Sequence, residues 1–253
     1  MTIEIQKLIR LPARTVAAGH LCYLWYSTYF GAQKLARGRK AMRTDTYLDQ
    51  RVPIEEQAIY PYLFATIYLP ASVLVLLNSL TNVEFDSAIQ AYESMILTAK
   101  NAFCCNPTRI KSREMLTHPV TKLLQSIDGP TNCFPSLHVA LVTLSYEILK
   151  NAKSQERSLL PAMKQSCIDI CRATVKTRQH SILDVIGGIA LSEQTYRKYF
   201  GGATDDLLSL ILPELSDTES LTIKELIKQY DDPLQLLDAL LARFHNLPKT
   251  AAG

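Results

Sequence analysis

From Gln57 to Val83 the chain carries no charged residue, and this run limits the available folds more than any other feature. Its central part, YPYLFATIYLPASVLVLLN, must either pack against other apolar elements or lie in a bilayer, since it is long enough to cross an apolar core of about 30 Å. Pro61 and Pro70 interrupt it, and Tyr60, Tyr62, Thr66 and Tyr68 dilute it. No second segment matches it. Thr15 to Gln33 is uncharged but holds His20 and many hydroxyls, and SCIDICRATVKTRQHSILD has charges every few residues. The chain therefore reads as a soluble or peripheral protein in which this helix is covered by others.

Helical periodicity dominates elsewhere, and alternating strand-like runs are nearly absent. The pattern predicts helices over about 13–41, 54–79, 84–102, 135–152, 159–178 and 181–199. Asn106-Pro107, His118-Pro119 and Asp128-Gly129-Pro130 mark breaks between apolar runs. From Gly201 the texture changes to short acidic amphipathic segments such as DDPLQLLDALLARF. The expected fold is all-α: a bundle of about six core helices in a domain over residues 1–200. An appendage of amphipathic helices over 201–253 caps it or mediates association between copies.

Charge narrows the partners. Against 24 acidic residues stand 27 Lys and Arg, a net +3 over 253 residues, far too little for a nucleic-acid footprint. Six of the basic residues crowd between Lys34 and Arg51, which fits either a solvated face or attraction to an anionic ligand or membrane surface. The six cysteines include adjacent Cys104-Cys105 and no CxxC pair, and MTIEIQKLIRLPAR lacks the apolar core of a signal peptide. Both point to reduced thiols in a cytoplasmic protein able to associate with a membrane.

Three segments carry chemistry. In PTNCFPSLHVAL a helix starting at Pro135 would leave the backbone N–H groups of Ser136, Leu137 and His138 at a helix N-terminus. There the peptide dipoles favour an anion, Ser136 adds a hydroxyl donor, and His138 is close enough to pass a proton. In KTRQHSILDVIGG, His180 and Asp184 are four apart, so on a helix the carboxylate can accept from one imidazole nitrogen and leave the other free to attack phosphorus. Arg178 beside them offers a fork of donors for phosphate oxygens. Upstream, KSREMLTHP contributes Lys111 and His118. Each segment alone also fits an ordinary helix start, a surface His-Asp pair or a polar loop; their order along the chain is what points to a phosphate site.

That order resembles the type 2 phosphatidic acid phosphatase superfamily, which includes bacterial acid phosphatases and vanadium-dependent haloperoxidases. Its marks are Lys, six residues, Arg-Pro; then Pro-Ser-Gly-His; then Ser-Arg, five residues, His, three residues, Asp. Here stand Lys111 with His118-Pro119, then Pro135-Ser136-Leu137-His138, then His180 and Asp184. The PSLH and TRQH forms are most similar to the branch with inositol phosphorylceramide synthases, and the resemblance runs from about Asn106 to Gly188. It implies His180 as nucleophile, Asp184 as its orienter, His138 as general acid, and Lys111, His118, Ser136 and Arg178 around the phosphate, with no metal or cofactor. Two positions depart: His118 stands where the family has Arg, and Thr174 stands six before His180 where it has Arg.

The function expected is hydrolysis of a phosphate or diphosphate ester with an apolar tail, of prenyl or lipid type. A terpene cyclase that ionises a prenyl diphosphate in the same pocket, a vanadium haloperoxidase and a non-catalytic helical interaction protein are the alternatives.

Overall fold

The computed structural model describes residues 2–110, 117–127, 129, 131, 133–153 and 157–245. Its centre is the segment LHVALVTLSYEIL, in which every residue from Leu137 to Leu149 is buried. A helix apolar on all sides belongs inside a protein. This one, Leu137–Asn151, opens at Ser136, whose hydroxyl accepts from Val139 N at 3.4 Å. Its main partner, Ile182–Phe200, starts with a capping box between Ser181 and Asp184 and stops at Gly201, which takes a left-handed conformation (φ 70°).

A pair of glycines lets these two helices meet. A Cβ on Gly187 would lie 2.4 Å from the ring of Phe134, and one on Gly188 would lie 2.6 Å from the carbonyl oxygen of Ser136. Only hydrogen fits at either position, so the turn before one helix rests directly on the backbone of the other.

Around this pair stand Thr2–Ala36 (α1), Ile59–Ser79 (α2), Asn82–Cys105 (α3) and Leu160–Lys176 (α6), which with Leu137–Asn151 (α5) and Ile182–Phe200 (α7) make the six-helix core of an all-α bundle. A short helix, Pro119–Ile127 (α4), lies between α3 and α5 in sequence. Towards the C-terminus come Leu208–Ile211 (α8), Asp217–Gln229 (α9) and Pro233–Phe244 (α10). α10 packs on α7, α9 and α3, and Ile223, Ile227, Leu237, Leu240 and Phe244 are buried in the same apolar cluster as the core helices.

Several boundaries differ from the sequence expectation. α1 begins eleven residues earlier than residue 13, continues through Pro12, and ends at Ala36 rather than 41. It stops where Gly38 turns left-handed (φ 77°) and Met42–Arg43 (β1) pairs in parallel with Thr108–Arg109 (β2). His118-Pro119, read as a break, starts α4, because a proline loses nothing at the first helical position. The central helix starts at Leu137, two residues after Pro135, so Pro135 precedes the cap; the Phe134–Pro135 peptide is cis. The uncharged run is covered on one side only. Ile59, Tyr62, Ala65, Leu69 and Leu76 of α2 are buried, while Tyr60, Phe64 and Ile67 are exposed. Among the described residues one helix, over Glu56–Leu76, is long and apolar enough to cross a membrane.

Candidate active site

The turn joining α6 to α7 presents His180. Thr174, at the end of α6, accepts from both Gln179 N and His180 N at 3.0 Å, which folds the chain back sharply. Within this turn Arg178 is left-handed (φ 52°), the only non-glycine residue so placed among those described. For a long side chain that conformation costs about 1–3 kcal/mol and is kept where surrounding structure enforces it.

Opposite runs the segment leading into α5. The hydroxyl of Thr108, in β2, accepts from Cys133 N (3.0 Å) and Phe134 N (2.7 Å), and Arg109 bridges to Thr131. The small sheet thereby holds Cys133 so that its carbonyl oxygen lies 3.1 Å from His180 Nδ1. A carbonyl only accepts, so Nδ1 carries the proton and the lone pair of Nε2 is free.

Asp184 plays a different part from the one the spacing implied. His180 precedes the Ser181 cap, outside the helix, so the four-residue helical geometry does not apply. Nδ1 lies 3.8 Å from Asp184 Oδ2, too far for a hydrogen bond, and Oδ2 instead accepts from Ser181 N at 2.7 Å. Orientation of the imidazole falls to the Cys133 carbonyl, while fully buried Asp184 supplies negative charge behind the ring.

His138, on the first turn of α5, comes to the same place. Its ring centre is 6.0 Å from that of His180, with the planes at 60°. Tyr62 (5.3 Å), Trp25 (5.7 Å) and Tyr29 (6.2 Å) surround it. The two histidines are only 8% and 4% exposed, so charge between them is poorly screened by water. Trp25 also lines a narrow, wholly apolar crevice between α1, α2, α3 and α5, together with Leu21, Leu69, Val73, Ile96 and Leu141.

The remaining sequence-derived residues divide. Ser136 lies at the α5 end, but its N–H donates to Asp184 O at 2.9 Å and its hydroxyl oxygen receives Val139 N. Of the three amides expected to point outward, this one is committed, because the glycine pair brings the two backbones into contact. Arg178 is 6% exposed and spends Nη2 on Val52 O at 2.7 Å, whereas Nε and Nη1 have no hydrogen-bond partner among the described residues. Burial holds its guanidinium below the usual range, against the upward pull of Asp49 and Asp45. His118 sits against Tyr60 (6.1 Å), with its N–H donated to Glu56 Oε1 at 3.2 Å, at the start of α2. The structure thus brings His138, His180, Asp184 and Ser136 together and places His118 beside Tyr60. Lys111 lies outside the described residues.

Sequence reasoning missed Asp49. Its carboxylate accepts from Ile182 N (2.8 Å) and Thr46 N (2.7 Å), so it caps α7 from 133 residues away, and burial pushes its pKa up to about 6. No local pattern announces such a long-range cap. Cys133 was visible only as a buried thiol, because a backbone carbonyl leaves no trace in residue type. No family model matches the chain, and no curated protein or solved structure is similar to it.

Proposed function

We propose that the chain is a phosphohydrolase that cleaves a phosphate or diphosphate ester of a substrate with an apolar tail, prenyl or lipid in type, through a phosphohistidine on His180. One observation carries the reading: two buried imidazoles, one with a defined free nitrogen, meet at the start of a helix with their ring centres 6.0 Å apart. An oxyanion seated beside both rings, at the start of α5, is within reach of a bond from one imidazole and a hydrogen bond of about 2.6–3.2 Å from the other.

In this scheme His180 Nε2 attacks phosphorus, the bond from phosphorus to the leaving oxygen breaks, and His138 gives that oxygen its proton. Water then attacks the phosphorus–nitrogen bond and returns a proton to His138, and phosphate departs. In the proposal the Leu137 amide, the Ser136 hydroxyl hydrogen and the Arg178 guanidinium, whose Nε and Nη1 have no hydrogen-bond partner among the described residues, serve the non-bridging oxygens, with Lys111 as a further cation. The scheme uses no metal and no cofactor. Support for the apolar tail comes from the aromatic side chains of Trp25, Tyr29 and Tyr62 beside His138. Support for delivery from a membrane surface comes from exposed Tyr23 and Phe30 on α1 and Phe64 and Ile67 on α2, together with the basic run Lys34 to Arg43 that begins in the last turn of α1.

A terpene cyclase is the second reading, favoured by the ring of Trp25, Tyr29 and Tyr62 around His138. Aromatic faces can stabilise a carbocation once diphosphate has left. Incubating the purified protein with a prenyl monophosphate and a prenyl diphosphate tests both. Phosphate release with a linear alcohol supports the hydrolase, a cyclic hydrocarbon or alcohol supports the cyclase, and no turnover of either overturns both.

A further inference from the structure

We propose that Cys133, His180 and Asp184 form a site for one thiophilic divalent cation of the zinc class, and that filling it switches off His180. The switching rests on the histidine mechanism above, whereas the cation site does not. One ligand atom from each of the three residues lies within 4.8 Å of those of the other two, and all three residues are buried. Nδ1 and Asp184 Oδ2 are already 3.8 Å apart. In a tetrahedral site, with Zn–S about 2.3 Å and Zn–N about 2.0 Å, neighbouring donors are about 3.3–3.5 Å apart, so a contraction of at most about 1.5 Å completes the shell.

A second, independent observation points to a ligand. Asp184 Oδ1 is wholly buried and has no hydrogen-bond partner among the described residues. A buried carboxylate with an unpaired oxygen carries a desolvation cost, and a cation held by that carboxylate offsets it. The charges balance as well: one thiolate and one carboxylate neutralise a divalent ion. Three protein ligands leave a fourth position open, and a soft sulfur donor with imidazole selects zinc over magnesium or calcium.

Protons account for the switch. On binding, the Cys133 thiol loses its proton to solvent, the metal takes Nδ1, and the imidazole proton moves to Nε2. The nitrogen that must attack phosphorus then has no lone pair. The ring stays neutral throughout, so the change is one of tautomer.

Cobalt(II) is the probe, added to the full-length protein after chelation and removal of metals. The expected result is one cobalt per chain with a sulfur-to-cobalt charge-transfer band in the near ultraviolet, displaced by zinc. That band is absent in Cys133→Ser and present in Cys104→Ser and Cys105→Ser. Asp184→Asn and His180→Gln, checked for fold by far-ultraviolet circular dichroism, weaken cobalt binding at least tenfold and give the decisive comparison if Cys133→Ser does not fold. No band in the wild type, a band that survives Cys133→Ser, or unchanged affinity in the other two variants overturns the site. Where phosphate release is present, zinc should abolish it at one equivalent and a chelator should restore it; bound zinc with undiminished turnover overturns the switch alone. If the protein turns over no phosphate ester, the cobalt spectrum still decides the site.

Discussion

The ring centres of His138 and His180 lie 6.0 Å apart although 42 residues separate the two in sequence, and each reaches that position from the first turn of, or the turn before, a different helix. The proposed mechanism gives them unequal tasks, which substitution can separate. His180→Ala, lacking the proposed nucleophile, should abolish turnover. His138→Ala, lacking the proposed general acid, should slow turnover by about 10²–10⁴-fold. A substrate whose leaving group needs no proton, such as a nitrophenyl phosphate, should recover most of the rate in His138→Ala and none in His180→Ala. Equal recovery in both would contradict the assignment.

The glycine pair sets how close the two helices lie. Gly187→Ala forces a Cβ into Phe134, at 2.4 Å, and Gly188→Ala forces one onto the Ser136 carbonyl, at 2.6 Å. Each should lower stability by about 1–3 kcal/mol in urea denaturation, as overpacking does. Phe134→Leu should recover part of the loss for Gly187→Ala and none for Gly188→Ala, whose obstacle is backbone.

Arg178 sets stability against its proposed contact with phosphate. Its left-handed backbone and its buried, incompletely paired guanidinium both weigh against the fold. Arg178→Gly removes both, so its urea midpoint should rise while its affinity for inorganic phosphate or vanadate, read as product inhibition, falls at least tenfold. A variant that is less stable and binds phosphate unchanged would refute this.

Asp49 gives a pH signature. Burial raises its folded-state pKa to about 6, reinforced by Asp184 and Asp45 and opposed by the Thr46 and Ile182 amides; unfolded, the group titrates near 3.9. Between those values the folded chain holds a proton that the unfolded chain has lost, so stability falls as pH rises, by on the order of 2–3 kcal/mol across the window. Glu193, pushed by burial to about 7, adds a slope of the same sign. Denaturation between pH 4 and 7.5 should show this decline, with a shallower slope in Asp49→Asn. An unchanged slope would exclude Asp49 as its source.

Much of the bundle was legible because helical period and end signals are local. The Ser181 to Asp184 box, the Gly201 stop and the apolar face of α3 all announce themselves within a few residues. What stayed hidden is long-range: Asp49 capping α7, the Thr108 hydroxyl fixing the approach to α5, and the Cys133 carbonyl on His180 Nδ1. The His180–Asp184 spacing paired two residues that do lie close, at 3.8 Å, but without the hydrogen bond it implied, since counting by four assumes a helix that begins only at Ile182. Pro135 misled by two residues for a related reason, because Ser136 suited the cap better. Residue type alone does not tell the aromatic side chains of α1 and α2 apart, and only packing shows that Trp25, Tyr29 and Tyr62 turn toward His138 while Tyr23, Phe30 and Phe64 are exposed.

The covalent intermediate is the most direct test of the account. Protein mixed with a prenyl phosphate, quenched within the first turnover under alkaline conditions that preserve phosphohistidine, and digested for mass spectrometry should carry one added phosphoryl group on the peptide containing His180. That group should be lost on brief acid treatment and absent in His180→Ala. Steady phosphate release with no phosphoryl group on that peptide, or undiminished release by His180→Ala, would contradict the mechanism.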